Sequence, residues 1–195
     1  CVVELIKTLE NEGLLEITLI VISSDNGPVL NDGYYDDAVE KNGNHTAAGV
    51  LRGGKYSLFE AGTRVPFMVY WKGKIEPKKS DALVSQLDLF SSFASLTGSN
   101  LRADDSFDLL DTFMGNSNLG RKELILEATT RTALRSGDWV MIPPYNGPAK
   151  LEAVNIEIGN GNQYQLYDLS QDISQQINLA AVSYTHLTLP TSHLV

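Results

Sequence analysis

The chain has 195 residues, of which 43% are hydrophobic and 20% are charged, a composition typical of soluble globular proteins. Its formal net charge of −9 argues against nucleic-acid binding through counterion release, so an anionic ligand would need a local cation or a metal ion. One cysteine, Cys1, excludes an internal disulfide framework and a zinc ribbon, and no apolar run reaches the roughly 18 residues of a membrane span.

The first part of the chain predicts a helix followed by a buried strand. The helix carries one apolar stripe, formed by Val2, Leu5, Ile6 and Leu9. Gly13 is placed to end it. Residues 17–22 are almost uniformly apolar, as expected of a strand buried on both faces of a sheet. Helix, short turn and buried strand together indicate an α/β unit.

Two polar residues, Asp25 and Asn26, directly follow this strand. At the carboxyl end of a strand in an open α/β sheet, side chains point into the crevice where ligands bind. A carboxylate beside an amide carbonyl provides hard oxygen donors suited to Ca²⁺ or Mg²⁺. An Asn-Gly hairpin turn is the alternative, but residues 28–37 lack the alternating pattern of a partner strand. We therefore favour a metal site.

A long segment without periodicity, residues 27–54, predicts a functional loop. It contains His45, which could donate to a sugar hydroxyl or to a leaving oxygen. An exposed histidine without a role is the alternative interpretation. Arg52, near the end of the loop, could contact an anion, and a purely surface role is an equally good interpretation.

Lys55 follows two glycines that would let the backbone approach a ligand closely. Its ammonium is a compact point charge suited to one oxygen of a sulfate or phosphate. Glu60 and Arg64 flank a glycine turn shortly afterwards, and their opposite charges can pair and lock the loop. We predict structural support, rather than catalysis, for these two residues.

The remaining sequence predicts a strand at residues 65–71, beginning at or after Pro66, and a helix at residues 86–96 ended by Gly98. Short strands separated by turns are predicted at residues 122–128, 132–142, 151–158 and 164–169. We therefore expect an α/β domain over residues 1–118 and a small α+β subdomain with an antiparallel sheet over residues 119–180.

The last segment, residues 181–195, contains no Asp, Glu, Lys or Arg and is predicted to be a non-native tail. A genuine uncharged C-terminal tail is the alternative. His186 and His193 lie in this segment, so neither is assigned any chemistry.

The order and spacing of several motifs resemble the sulfatase family, in particular the arylsulfatase type of the alkaline-phosphatase-like superfamily. These motifs are Ser24–Gly27, Arg52–Lys55, Glu60–Pro66, Gln86–Phe90, Ala133–Trp139, Gln165–Leu169 and Asn178–Ala180. The resemblance runs from about Val2 to Ala180. It implies an α/β fold of the alkaline-phosphatase-like type and a sulfuric ester hydrolase that acts on an aryl or carbohydrate sulfate.

The resemblance also implies roles for the candidate residues. Asp25 and Asn26 would bind a divalent cation, usually calcium and alternatively magnesium. Lys55 would contact the sulfate as a catalytic and substrate-binding residue, and His45 and Arg52 would be further substrate contacts. The partner would be a sulfated small molecule or glycan, and the location periplasmic, cell-surface or secreted.

The nucleophile of this family is a formylglycine made from Cys or Ser in a Cys/Ser-x-Pro/Ala-x-Arg motif, which this chain does not contain. We therefore expect the nucleophile to lie upstream, and the chain expressed alone to be inactive and poorly soluble.

Two other functions remain open. A phosphoryl or phosphonate ester hydrolase of the same superfamily would use a similar site, but those enzymes tend to place a histidine where this chain has Asn26. A non-catalytic glycan- or anion-binding module would use Lys55 and the loop around Tyr34 and Tyr35 without turnover.

Overall fold

The computed structural model describes residues 2–180, which form two compact units. The first unit contains residues 2–24 and 66–124, and the second contains residues 25–65 and 125–180. The sequence predicts one domain boundary near residue 118, whereas each of these units combines two separate stretches of the chain. The predicted boundary therefore stays a prediction. Cys1 and the predicted non-native tail, residues 181–195, lie outside the described residues.

The helices are α1 Val2–Asn11, α2 Ala38–Lys41, α3 Glu60–Thr63, α4 Asp88–Leu96 and α5 Leu110–Phe113. The strands are β1 Ile20–Ser23, β2 Phe67–Tyr70, β3 Glu123–Ala128, β4 Arg131–Ser136, β5 Trp139–Ile142, β6 Lys150–Leu151, β7 Ile156–Glu157 and β8 Gln165–Asp168. Single turns of 3₁₀ helix occur at Leu15–Ile17 and Glu152–Val154. Each helix within residues 2–180 is too short or too polar to cross a lipid bilayer.

The first unit begins with the predicted helix and strand. Helix α1 ends at Asn11, and Gly13 follows in a left-handed conformation with φ of 69°, as its sequence position indicates. Strand β1 is less buried than its apolar composition predicts. Ile20 is 8% exposed, but Val21 and Ile22 are only half-buried. The reason is that β1 pairs antiparallel with β2 alone among the described residues.

The later elements of the first unit agree with the sequence. Strand β2 begins directly after Pro66, and α4 is followed by Gly98 with φ of 72°. Asp88, at the start of α4, is fully buried and accepts a hydrogen bond from Arg121 Nε at 2.9 Å. The Arg121 guanidinium also lies 4.2 Å from the centre of the Phe107 ring. The segment that follows α4 is thereby anchored to the beginning of that helix.

The second unit contains a four-stranded sheet in the order β3-β4-β5-β8, in which β5 pairs antiparallel with both β4 and β8. The predicted small antiparallel sheet is therefore present. Val140 and Ile142 of β5 are fully buried, and Tyr167 of β8 is 2% exposed, so this sheet carries the core of the unit.

Two of the predicted strands are each interrupted by a turn. Residues 132–142 form β4 and β5, because Gly137 turns the chain with φ of 57°. Residues 151–158 are divided by a 3₁₀ turn and by Asn155, whose φ is 58°, so that the short strands β6 and β7 pair antiparallel.

Candidate active site

The chain segment that carries Asp25 and Asn26 lies against the loop that carries Lys55. The Gly27 amide donates to the Gly62 carbonyl at 2.9 Å, and the Lys55 amide donates to the Pro28 carbonyl at 3.0 Å. Both hydrogen bonds join backbone atoms, so they fix the two segments to each other whatever side chains they carry. These segments are 30 residues apart in sequence and adjacent in the second unit.

Glycine is required for this close approach. A Cβ atom added to Gly27 would lie 1.6 Å from the Ala61 carbonyl oxygen, and one added to Gly54 would lie 2.6 Å from the Pro28 carbonyl oxygen. No side chain fits at either position without moving the backbone. Ala61 itself is part of helix α3 and has no positive φ.

The two candidate metal ligands differ in exposure. The Asp25 side chain is exposed, and Asn26 is half-buried. The Asn26 amide nitrogen donates to the Gly27 carbonyl at 2.9 Å, which turns the side-chain oxygen away from that carbonyl. A carboxylate and an oriented amide oxygen suit a hard divalent cation.

This pair can supply only part of a cation's coordination shell. Calcium takes about 6–8 oxygen ligands, and magnesium requires a near-octahedral set. Within residues 2–180, no group of three or more His, Cys, Asp or Glu side chains is arranged to hold a metal ion. The oxygen donors of Asp25 and Asn26 fit two of the positions around a hard divalent cation.

Lys55 contributes a positive charge to the loop on one side of this backbone contact. Its side chain is half-buried, and its ammonium lies 5.5 Å from the centre of the Tyr56 ring. Among the ion pairs of residues 2–180, none involves Lys55. Its charge is therefore not neutralised by a carboxylate of the described chain, which favours attraction of an anion.

Glu60, a buried residue of α3, forms ion pairs with two arginines. It is 1% exposed, and its Oε2 atom is 3.2 Å from Arg64 Nη1 and 2.8 Å from Arg135 Nη1. Glu60 is thus paired with Arg64, and the supporting role predicted for these two residues stays a prediction. Arg135 was missed as a partner: it belongs to the motif Ala133–Trp139, but nothing local to that motif indicates which carboxylate it meets.

Arg52 is engaged by the C-terminal part of the second unit. Its Nε is 2.6 Å from Glu157 Oε2, its Nη1 donates to the Gln175 carbonyl at 2.7 Å, and its guanidinium lies 3.9 Å from the centre of the Phe59 ring. Burial alone would lower the pKa of Arg52, but the hydrogen bond and charge of Glu157 outweigh burial and raise it. These contacts attach the end of the loop to distant parts of the second unit. The substrate contact predicted for Arg52 stays a prediction.

His45 is exposed in the turn that follows α2. Its backbone amide donates to the Asn42 carbonyl at 3.1 Å, and the Asn42 side chain donates to the His45 carbonyl. These contacts hold the backbone of the turn and leave the imidazole at the surface. The substrate contact expected of His45 from the sequence also stays a prediction.

The sequence is similar to that of known sulfatases. The family model described as Sulfatase matches residues 1–99. The N-acetylgalactosamine-6-O-sulfatase of Bacteroides thetaiotaomicron is 42% identical over 181 residues, covering 91% of this chain and 35% of that protein. Arylsulfatase A of Homo sapiens is 29% identical over 197 residues, covering 90% of this chain and 36% of that protein. The chain thus spans about a third of the length of these relatives.

Solved structures give the same result. A Bacteroides thetaiotaomicron sulfatase, described within a study of the metabolism of multiple glycosaminoglycans, matches with a TM-score of 0.87 and 41% identity over 92% of this chain and 38% of that chain. The PsFucS1 sulfatase of Pseudoalteromonas sp. matches with a TM-score of 0.66 and 24% identity over 90% of this chain and 35% of that chain, a likeness of fold. These neighbours confirm the predicted α/β fold of the alkaline-phosphatase-like type.

Proposed function

This chain belongs to the sulfatase family, and from that premise we propose that it forms part of the catalytic centre of a sulfuric ester hydrolase. The substrate would be an aryl or carbohydrate sulfate. A carbohydrate sulfate is favoured, because the relative with 42% identity is an N-acetylgalactosamine-6-O-sulfatase. The observation that carries the proposal is the pair of backbone hydrogen bonds, Gly27 to Gly62 and Lys55 to Pro28, that joins the Asp25 segment to the Lys55 loop.

Asp25 and Asn26 would hold a divalent cation, calcium or alternatively magnesium, through the carboxylate and the amide oxygen. When bound, such a cation withdraws charge from the sulfuryl oxygens and makes the sulfur easier to attack. The remaining ligands would come from residues outside this chain. The amide orientation set by the Asn26 to Gly27 hydrogen bond supports this assignment.

Lys55 would donate to one sulfuryl oxygen. As the sulfur is attacked, negative charge grows on its oxygens, and a fixed ammonium stabilises that charge more in the transition state than in the substrate. The Lys55 ammonium would also attract a sulfated ligand locally, although the overall charge of −9 by itself would repel it. The ion pair of Glu60 and Arg64 would stabilise the conformation of the loop.

The nucleophile would be a formylglycine supplied outside residues 1–195, so we expect the 195-residue chain alone to hydrolyse no sulfate ester. A periplasmic, cell-surface or secreted location is proposed on the same family grounds. His45 is proposed as a contact for the sugar or for the leaving oxygen, whereas the contacts of Arg52 favour bracing over substrate binding.

The experiment uses the full-length reading frame and compares hydrolysis of 4-nitrophenyl sulfate, 4-nitrophenyl phosphate and a sulfated amino sugar. Lys55→Ala should lower kcat/KM for the sulfates by about 100- to 1,000-fold, the usual effect of removing one transition-state donor. Lys79→Ala, at an exposed lysine in the first unit, is the matched control and should have no effect.

The metal assignment has its own readout. Asp25→Ala should lower the calcium content of the purified protein, measured by mass spectrometry, in parallel with activity. Unchanged activity in Lys55→Ala would refute the proposed role of that lysine. A preference for the phosphate would favour the phosphoryl hydrolase, and binding of the sulfated sugar without turnover would favour the binding module.

A further inference from the structure

Tyr56, the residue directly after Lys55, has a left-handed backbone conformation with φ of 75°. This conformation is unfavourable for residues other than glycine, asparagine and aspartate, because Cβ comes too close to the following carbonyl oxygen. Such strain persists only where surrounding contacts impose it, and it is concentrated at functional sites. Some contact must therefore hold Tyr56, and with it Lys55, in place.

Arg131 makes that contact. It is the first residue of β4 and is 7% exposed. Its Nη2 donates to the Tyr56 carbonyl at 3.1 Å, while its Nη1 donates to the Ile158 carbonyl at 2.9 Å and to the side chain of Asn160. One planar guanidinium thus connects the loop to the segment around Ile158.

The same segment holds the loop at a second point. The Leu58 amide donates to the Ile158 carbonyl at 3.3 Å, so that carbonyl receives both Leu58 and Arg131. The Asn160 side chain donates in turn to the Pro148 carbonyl at 2.8 Å. Residues 56–58 are therefore attached to a buried polar network of the C-terminal sheet region.

We propose that Arg131 is a positioning residue for Lys55: its hydrogen bond to the Tyr56 carbonyl holds the left-handed turn directly after the lysine, whose own backbone amide is bonded to the Pro28 carbonyl near the Asp25 segment. The proposal rests on the proposed function for its consequence in catalysis. A charge-assisted hydrogen bond to the strained residue stabilises that conformation against relaxation. Lysine at position 131 could reach one carbonyl, but it lacks the planar fork that connects two.

The test compares Arg131→Lys with Arg121→Lys in the full-length protein. Arg121 is the matched control, because its side chain is only 9% exposed and also donates to a backbone carbonyl, that of Asp105, but it lies in the first unit. Arg131→Lys should lower kcat/KM for the aryl sulfate by about 10- to 100-fold, the usual effect of a misplaced catalytic group. Arg121→Lys should leave kcat/KM of the folded protein unchanged.

Limited proteolysis supplies a readout independent of activity. Trypsin cleaves after lysine, so release of the Lys55 loop should speed cleavage of the Lys55–Tyr56 bond in Arg131→Lys and leave it unchanged in Arg121→Lys. If the parent protein hydrolyses no sulfate ester, the proposed function fails, while this cleavage rate still tests Arg131. Equal cleavage rates in the parent and both variants would overturn the positioning role, as would equal acceleration in the two variants.

A second variant tests the link to strain. Glycine adopts the left-handed conformation without steric cost, so a Tyr56→Gly background should depend less on Arg131. In that background Arg131→Lys should change the cleavage rate by no more than about twofold, and the double-mutant cycle removes the separate effect of losing the tyrosine ring. The same factor in both backgrounds would show that Arg131 does not act through Tyr56.

Discussion

The Arg135 guanidinium lies 2.8 Å from the carboxylate of Glu60, 75 residues earlier in the chain. Arg64 reaches the same carboxylate oxygen at 3.2 Å from only four residues away. The two arginine side chains differ in exposure, at 14% for Arg135 and 46% for Arg64. The distant partner is therefore the one that neutralises Glu60 in a water-poor environment.

Arg135→Met should destabilise the protein by about 2–3 kcal/mol, because it leaves the Glu60 carboxylate buried with one half-exposed partner. Arg64→Ala should cost about 1 kcal/mol or less, since water screens that pair. Urea unfolding of the two variants beside the parent measures both costs. A larger loss from Arg64→Ala than from Arg135→Met would contradict the ranking that the burial of the two pairs gives.

Gly27→Ala should prevent the Asp25 segment from packing against α3. The new Cβ would lie 1.6 Å from the Ala61 carbonyl oxygen, and only a backbone shift could relieve that overlap. We expect a loss of about 3 kcal/mol or more, at or above the upper end of the usual cost of overpacking, together with loss of bound calcium. Soluble yield, thermal midpoint and metal content measure these effects.

The control for this substitution is Gly161→Ala, also in the second unit. Its added Cβ would have the Gln165 amide nitrogen as its nearest neighbour, at 3.4 Å, and Gly161 has no positive φ. Its cost should stay below about 1 kcal/mol. Equal effects at Gly27 and Gly161 would mean that the close approach at Gly27 is not required.

Helices and turns that depend on neighbouring residues could be predicted from the sequence. Helix α1 has its apolar stripe and a following Gly13, and α4 has the same pattern with Gly98. The burial of β1 was overestimated, because an apolar run shows that a strand can be buried but not how many strands lie beside it. Only pairing with β2 is present among the described residues.

The candidate site shows the same difference between local and distant information. Asp25, Asn26 and Lys55 could be proposed because each stands within a short motif. The supports of the Lys55 loop could not, because they depend on which distant residue the fold brings close. Arg131 reaches Tyr56 across 75 residues, and the Gln175 side chain accepts the Glu60 amide across 115 residues. No local pattern identifies such partners.

The pair between Arg52 and Glu157 should make stability depend on acid pH. The hydrogen bond from Arg52 lowers the pKa of Glu157, with burial opposing it. A carboxyl whose folded pKa is depressed contributes stability above its unfolded pKa, and that contribution is lost as the pH falls through the folded pKa. Because the Glu157 side chain is 52% exposed, the contribution should stay below about 1 kcal/mol.

Thermal midpoints of the parent and of Glu157→Gln measure this contribution. The parent should be the more stable protein at pH 7, and the difference should shrink as the pH falls below the ordinary value of 4.5 for glutamate. Glu152→Gln, at an exposed residue of the same region, should show no such narrowing. A difference that grows on acidification would have the wrong sign for a depressed pKa.

Asp88→Asn should be the most damaging of the conservative substitutions in the first unit. The Asp88 side chain is fully buried, with Oδ2 accepting the Ser85 amide at 2.8 Å, Oδ1 accepting the Phe107 amide at 2.9 Å, and Arg121 Nε at 2.9 Å from Oδ2. Asparagine keeps the shape but replaces one acceptor with a donor and removes the charge that neutralises Arg121. Breaking a buried pair in this way costs about 3–5 kcal/mol. Asp81→Asn, at an exposed position, is the control and should have no measurable effect on the free energy of unfolding. Denaturant unfolding of the two variants measures the difference. Equal midpoints for Asp88→Asn and Asp81→Asn would show that the buried pair does not stabilise the protein.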